Sequence, residues 1–313
     1  MGYNHPSWLG PTGKTLHLGS ASMGVNFVRL QGIVPAWITP PWALHVGLTG
    51  EAKDQSALLQ GFSRKRGIKV LDFDVPPPCD PPVHWHVVNR HTRRLSLVQR
   101  KGWKGQQEDD QGGDGRQAID QDVDQDILDL IPSTRRKQER RFLRDGGRVE
   151  IRGQQESWDD VFRLHWASRE RKNLDPGGDA LAQLIERIRT EPWAFSVVAL
   201  ASDGTALASG GFLEDGEGRV VYALGGQKRS AESGRASVAM LIEAMREARR
   251  RGMAEFDFGG SLDRGVDQFY AEFGALPHAL TRWVYVPAWW KPMLSGACRV
   301  WTQPSPYFPR PSV

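Results

Sequence analysis

The sequence predicts a mixed-sheet α/β fold built in two similar halves, on three observations. First, from Ser157 onward the periodicities run helix, helix, three strands, helix, strand, helix, strand. Second, residues 219–258 read as strand, Gly-bearing polar loop, amphipathic helix and short strand. Two strands joined through a helix should lie parallel, with a right-handed crossover. Third, RKRGIKVLDFD (64–74) lies over RRRGMAEFDFG (249–259), matching Gly67 to Gly252, Asp72 to Asp257 and Phe73 to Phe258. A basic helix end, a Gly cap and a strand ending in Asp-Phe thus occur twice, which marks an internal duplication.

Bulk properties agree. A length of 313 residues suggests two domains, and 39% hydrophobic with 25% charged residues is ordinary for a globular chain. The net charge of +4 permits an anionic ligand such as CoA, a nucleotide or tRNA without demanding one. Cys79 and Cys298 stand far apart with no CxxC, so neither a metal site nor a disulfide framework is indicated. The N-terminus lacks a basic region followed by an apolar core, and no apolar run approaches about twenty residues. The expectation is a cytoplasmic protein with no membrane span. Walker, Rossmann and GxSxG motifs are absent, as are a nucleophilic triad and a zinc cluster.

In chain order, NFVRL and LHVGL read as strands, separated by IVPAWITPPW. Pro35, Pro40 and Pro41 cannot donate to a ladder, so that segment should be an edge or a loop. A helix with Leu58, Leu59 and Phe62 inward leads to the strand IKVLDF. After the stiff turn 76–82, VHWHVV and RRLSLVQ alternate as a hairpin would. His84 and His86 share one face but have no third ligand, so a surface or internally satisfied pair is the reading. Residues 101–126 are rich in Gln, Asp and Gly and should form a flexible polar insertion. Ser133 can cap a helix carrying Arg135, Arg136, Lys137, Arg140, Arg141 and Arg144, a solvated face or a contact for phosphates.

Helices follow at 158–171 and 179–190, the second with Leu181, Leu184, Ile185 and Ile188 on one face. AFSVVAL, TALASGGFL and RVVYAL are the next strands. The central helix turns Val238, Leu241, Ile242 and Met245 inward, and Gly252 should end it in the left-handed conformation. ALTRWVYV is the last strand, and the Pro- and Trp-rich tail should pack back on the first half.

Residues 225–274 resemble the second-domain core of the Fem peptidyltransferases and the related BioF2-like acyltransferases of the GNAT superfamily. There a polar loop enters a helix, followed by a strand near DFGG and then G…F…FG. The matching pieces are Arg235 and Ser237, Gly252, Phe256-Asp257-Phe258-Gly259-Gly260, and Gly265…Phe269-Tyr270…Phe273-Gly274. Tyr270 departs from the pattern, standing where Fem proteins usually carry Lys. The resemblance implies tandem GNAT-like domains. A degenerate first domain spans 1–100, the insertion 101–126, and a basic connecting helix and linker 127–156. A second domain holding the active centre spans 157–287, and the tail spans 288–313. It also implies that the Pro-Trp segment around Trp42 approaches the substrate groove, unless it is only an aromatic-proline corner.

The activity implied is N-acyl transfer from acyl-CoA to a small-molecule or peptide amine, in cell-envelope, polysaccharide or natural-product synthesis, without a metal. An aminoacyl-tRNA-dependent transferase is the alternative, and a non-catalytic GNAT-like binding protein a second; DNA is not an expected partner. In GNAT folds two strands splay around the acyl group, and the pyrophosphate meets the start of the following helix. By that resemblance Gly225, Gly226, Ser233, Gly234, Arg235, Ala236 and Ser237 would hold the donor. The standard loop Q/R-x-x-G-x-G/A is only partly met, by Ser233-Gly234-Arg235-Ala236.

Acyl transfer also needs an oxyanion donor and a route for the proton. Asp257, Tyr222 and Tyr270 are the candidate catalytic residues. Asp257 sits at a strand's C-terminal end, where α/β clefts open, though it can equally cap the loop that follows. Arg171, Gly260, Ser261 and Asp263 are the candidate acceptor contacts, with Arg169 beside them. His278 reads as structural.

Overall fold

The computed structural model of the chain describes residues 3, 5–10, 13–30, 32–98, 126–153, 156–260 and 263–290. Almost all of the expected insertion, Ser261 and most of the tail lie outside these residues. One eleven-stranded sheet runs through the molecule. Its first-half strands are β1 (Gly13–Leu18), β2 (Ala21–Leu30), β3 (Val34–Ile38), β4 (Ile68–Phe73) and β5 (His86–Ser96). The second half adds β6 (Arg148–Arg152), β7 (Ala194–Leu200), β8 (Ala206–Glu214), β9 (Arg219–Gln227), β10 (Glu255–Asp257) and β11 (Leu276–Tyr285). Helices α1 (Pro6–Leu9), α2 (Ala52–Ser63), α3 (Ser133–Arg144), α4 (Asp159–Arg171), α5 (Gly178–Ile188), α6 (Ser233–Arg250) and α7 (Arg264–Ala271) accompany it.

The sheet order β1-β2-β3-β4-β11-β5-β10-β9-β8-β7-β6 contains a strand exchange. β4 and β10 are the strands of the duplicated motif. Each would be expected beside the strand that follows it in sequence, yet β4 pairs with β11 and β10 pairs with β5. β5 and β11 then pair antiparallel at the centre, with His91 opposite Ala279. The duplication reaches the side chains. Arg282 faces Asp72 across β11–β4 and donates from Nε at 2.8 Å; Arg94 faces Asp257 across β5–β10 and does the same at 2.8 Å. Gly67 and Gly252 both adopt positive φ, +105° and +77°, as a helix-ending glycine should.

Three local expectations fail for identifiable reasons. The hairpin after residue 82 is a single strand, β5, because residues 89–92 hold no Gly or Pro to reverse the chain and all pair with β11. LHVGL is not a regular strand. It bridges β2 and β4 beyond the end of β3 on single bonds, Val46 N–H to Asp72 O and Gly24 N–H to Val46 O, and turns at Gly47 with φ +60°. Conversely, the proline segment supplies β3, which is flanked by strands on both sides. Pro35 is tolerated because pairing with β4 begins only at Ala36.

In the second half, α6 buries Val238, Leu241, Ile242 and Met245 as the periodicity requires. The basic helix α3 packs on α6 through Glu139, which accepts from Arg246 at 2.6 Å. Arg135 is buried, ion-paired to Glu272 and stacked over Phe269 at 4.8 Å. Lys137, Arg140, Arg141 and Arg144 remain exposed. No described helix is long and apolar enough to cross a membrane.

Candidate active site

β9 and β10 pair in parallel, as the strand–helix–strand pattern requires, but only from Arg219 to Val221 on the β9 side. Beyond Asp257 the chain leaves the sheet, while β9 continues to Gln227. The two strands therefore part, and β9 is further bent by a register shift against β8 beside Phe212. Two cavities open at the gap, about 400 and 370 Å³ in volume. Tyr222, Gly225 and Tyr270 line both, so these residues form the partition between them.

The larger chamber has a polar end and an apolar end. Arg171, Lys172 and Gly234 line the first; Met240, Leu241 and Phe269 line the second. Gly234 lies in the first turn of α6, where unpaired backbone N–H groups and the helix dipole favour an anion. The smaller chamber is lined by Trp42, Arg90, His165, Arg169, Phe258 and Gly260 among others.

The glycines of β9 are sterically required. A Cβ on Gly225 would fall on the Tyr222 hydroxyl, and one on Gly226 would lie 2.1 Å from the Leu164 carbonyl oxygen. α4 can approach β9 this closely only because Gly226 carries no side chain, while the bare Gly225 leaves room for the Tyr222 ring. The Tyr222 ring stacks on Phe212 at 5.1 Å and meets Tyr270 edge-on at 6.4 Å. Burial raises both phenols above their ordinary pKa, so both stay protonated at neutral pH.

His165 on α4 belongs to this site, although no motif surrounds it in the sequence. It reads there as a lone histidine on an apolar helix face. The imidazole is 7% exposed, with Nδ1 at 3.2 Å from Gly225 N and 3.1 Å from Gly225 O. Nε2 has no protein partner among the described residues. Burial pushes the pKa down to about 4, so the ring is neutral at pH 7. A group that titrates near 6.5 unfolded and near 4 folded binds more protons when unfolded in that window. Stability should therefore rise from pH 4 to 6.5 by about 3 kcal/mol from this residue and level off above. Urea unfolding of the parent and His165→Gln across that range tests this; identical pH profiles would show that the ring is not held neutral.

The other sequence candidates separate clearly. Gly225, Gly226, Gly234, Ser237 and Arg171 line the larger chamber, and Gly260 the smaller. Ser237 donates to Gln227 Oε1 at 2.5 Å, and Arg171 to Gln227 O and Ser168 Oγ at 2.9 Å. Arg171 thus lines the larger chamber, apart from Gly260 in the smaller. Arg235 and Ala236 are corrected. Arg235 points to the far side of α6 and pairs with Asp145 at 3.1 Å, while Ala236 is in the core, because helical spacing turns them away from the cleft. Ser233 is buried against Ser230. Asp263 caps α7, accepting from Gly265 N, and Lys172 reaches it at 3.0 Å across the chamber mouth. His278 contacts Asp74, away from both chambers.

Asp257 is the main correction. It is fully buried and lines neither chamber. Thr92 Oγ1 and Gly259 N–H donate to Oδ1, and Arg94 donates to Oδ2. These donors hold the carboxylate inside the fold, away from both chambers, so it is not placed to meet a substrate. It caps the DFGG turn, in which Gly259 takes φ +76°.

Residues 133–270 match the family model described as an acetyltransferase (GNAT) domain. Among solved structures, FemX superposes with a TM-score of 0.61 at 12% identity, covering 94% of this chain and 93% of that one. The C-terminal domain (DUF2156) of a putative lysylphosphatidylglycerol synthetase from Agrobacterium fabrum gives 0.56 at 14%, with 92% and 89% covered. L-PGS from Bacillus licheniformis gives 0.56 at 13%, with 91% and 88% covered. At such identities the likeness is one of fold. No curated protein matches the sequence. The chain accordingly shares its fold with these structures, and its residues 133–270 match the model of a GNAT acetyltransferase domain.

Proposed function

We propose that this protein is an N-acyltransferase that takes an acyl group from acyl-CoA in the larger chamber and passes it to an amine held in the smaller one. The observation that carries the reading is the shared partition: among the described residues Tyr222, Gly225 and Tyr270 line both chambers, where a donor carbonyl and an acceptor nitrogen from opposite sides would meet. Arg171, Lys172 and the start of α6 suit the phosphates of the donor, and Met240, Leu241 and Phe269 suit its acyl and pantetheine carbons. The amine lone pair attacks the thioester carbonyl carbon, the C–S bond breaks, and the thiolate leaves. The phenol of Tyr270, kept protonated by burial, gives its proton to the thiolate, and the proton lost by the amine nitrogen reprotonates the Tyr270 phenolate, leaving amide and thiol. Holding both reactants at one partition supplies much of the acceleration.

A second reading, transfer from aminoacyl-tRNA, draws on the exposed Lys137, Arg140, Arg141 and Arg144 of α3. Tyr270 in place of the family's Lys weighs against it. A ligand that binds only the folded chain raises its melting temperature, by about 3 kcal/mol of stabilisation at a hundredfold excess over Kd. Acetyl-CoA or a longer acyl-CoA is expected to do this. Gly234→Asp tests the location, since a side chain there meets nothing within 4 Å and an acid in the first helical turn favours folding. That variant should melt no lower than the parent and lose the acyl-CoA shift. A shift with aminoacyl-tRNA alone reverses the ranking, and thermal shifts without turnover would favour a binding protein.

A further inference from the structure

The smaller chamber has a charge that an amine-binding site should not have. Among the described residues two guanidinium groups line it, Arg90 and Arg169, and no carboxylate does. Arg90 donates to Asp72 at 2.8 Å, but Arg282 claims the same carboxylate with two bonds, at 2.8 and 3.0 Å. One negative charge is thus shared by two positive ones, and Thr39 Oγ1 donates to it as well. Burial acts to raise the Asp72 pKa, yet Arg282 and Arg90 pull it below its usual range, so the carboxylate is fully committed. Among the described residues Arg169 has no carboxylate partner; its Nε donates to the Asp175 carbonyl. His165, which also lines the chamber, contributes no negative charge. An ammonium ion is repelled by such a lining, and a bare alkylamine gains nothing from it.

We infer that the acceptor is an amine that also carries an anionic group, a carboxylate or a phosphate, which Arg169 and Arg90 hold while the nitrogen faces the Tyr222–Gly225 partition. This inference rests on the acyltransferase reading and deepens it. Arginine presents a planar fork that suits either anion in a bidentate fashion. The same positive field lowers the pKa of a bound ammonium, favouring the neutral nucleophile that acyl transfer needs and reducing the demand for a separate base. This accounts for a site in which Asp257 is fully occupied and no other carboxylate lines the smaller chamber.

The test uses matched amines with acetyl-CoA, following thiol release: β-alanine for the carboxylate, phosphoethanolamine for the phosphate, and propylamine for neither. The expected result is a preference in kcat/KM on the order of ten- to hundredfold for one or both anionic amines over propylamine. Arg169→Gln should bring that ratio close to one, Arg169→Lys should restore part of it, and Arg169→Glu should favour a diamine. Which anionic amine wins identifies the anion. Equal use of all three amines overturns the inference, as does an Arg169→Gln chain that keeps the preference. A parent chain that binds acetyl-CoA by thermal shift and acylates none of the three also overturns it. Failure to bind any acyl-CoA in that thermal-shift experiment is the separate failure of the acyltransferase reading itself.

Discussion

Asp257→Ala is expected to lower the unfolding free energy by about 3–5 kcal/mol, because three buried donors lose their acceptor at about 1–3 kcal/mol each, although Arg94 keeps Asp74. Arg94, 9% exposed along its side chain, would lose a 2.8 Å partner, and the Gly259 N–H would lose the oxygen that holds the DFGG turn. Thr92 would be left with an unmet hydroxyl beside it. Asp72→Ala should be comparable, because Arg282 and Arg90 both converge on that carboxylate. Denaturant midpoints of the two variants measure this directly. Turnover separates structure from chemistry. Asp257→Asn keeps the shape, and its activity should follow the folded fraction. A variant that is fully folded with parental stability yet inactive would return Asp257 to the chemistry and sink the present assignment.

Tyr270→Phe is expected to reduce kcat by roughly a hundred- to ten-thousandfold, the range for loss of a positioned proton donor, with KM changed little. Phenylalanine retains the ring contacts, which run to Phe258 at 5.1 Å and to Phe269 at 5.9 Å, so the fold should be untouched. The pH dependence carries the sign of the mechanism. Because burial holds the phenol protonated, a donor role predicts a rate that does not fall as pH rises through 8 and 9 on account of Tyr270. Steady-state kinetics of Tyr270→Phe beside Tyr222→Phe make the comparison, since both phenols border both chambers. Full turnover in Tyr270→Phe would remove it from the proton path. The deficit should be larger for whichever hydroxyl reaches the sulfur.

Much of the second half was legible along the chain because its signals are local. The inward positions of α6 are an i, i+3, i+4 pattern, and the parallel relation of β9 and β10 follows from the helix between them. Gly225, Gly226, Gly234, Ser237, Tyr222 and Tyr270 could be placed near a cleft because strand end, loop and helix start are consecutive in sequence. His165 and Arg90 gave no such signal, reaching the site from α4 and β5, each remote from β9, and Trp42 was pointed to only by the family resemblance of its Pro-Trp segment. Arg235 and Ala236 show the opposite failure. They lie in the right turn of the right helix, but 100° of rotation per residue sends their side chains elsewhere.

By itself, then, the sequence determined the mixed α/β class, the duplicated Gly-capped helix and Asp-Phe strand, and the loop–helix unit at which the cleft opens. Each is set by short-range sterics, hydrophobic spacing or glycine's freedom at positive φ. The tertiary structure alone decided the exchange of β5 and β11, the occupation of Asp257 and Asp72 by arginines from those exchanged strands, and the positive lining of the smaller chamber. Those outcomes depend on which strand edges find each other across nearly two hundred residues of chain, and on how many charges share one buried carboxylate. No local pattern encodes either quantity.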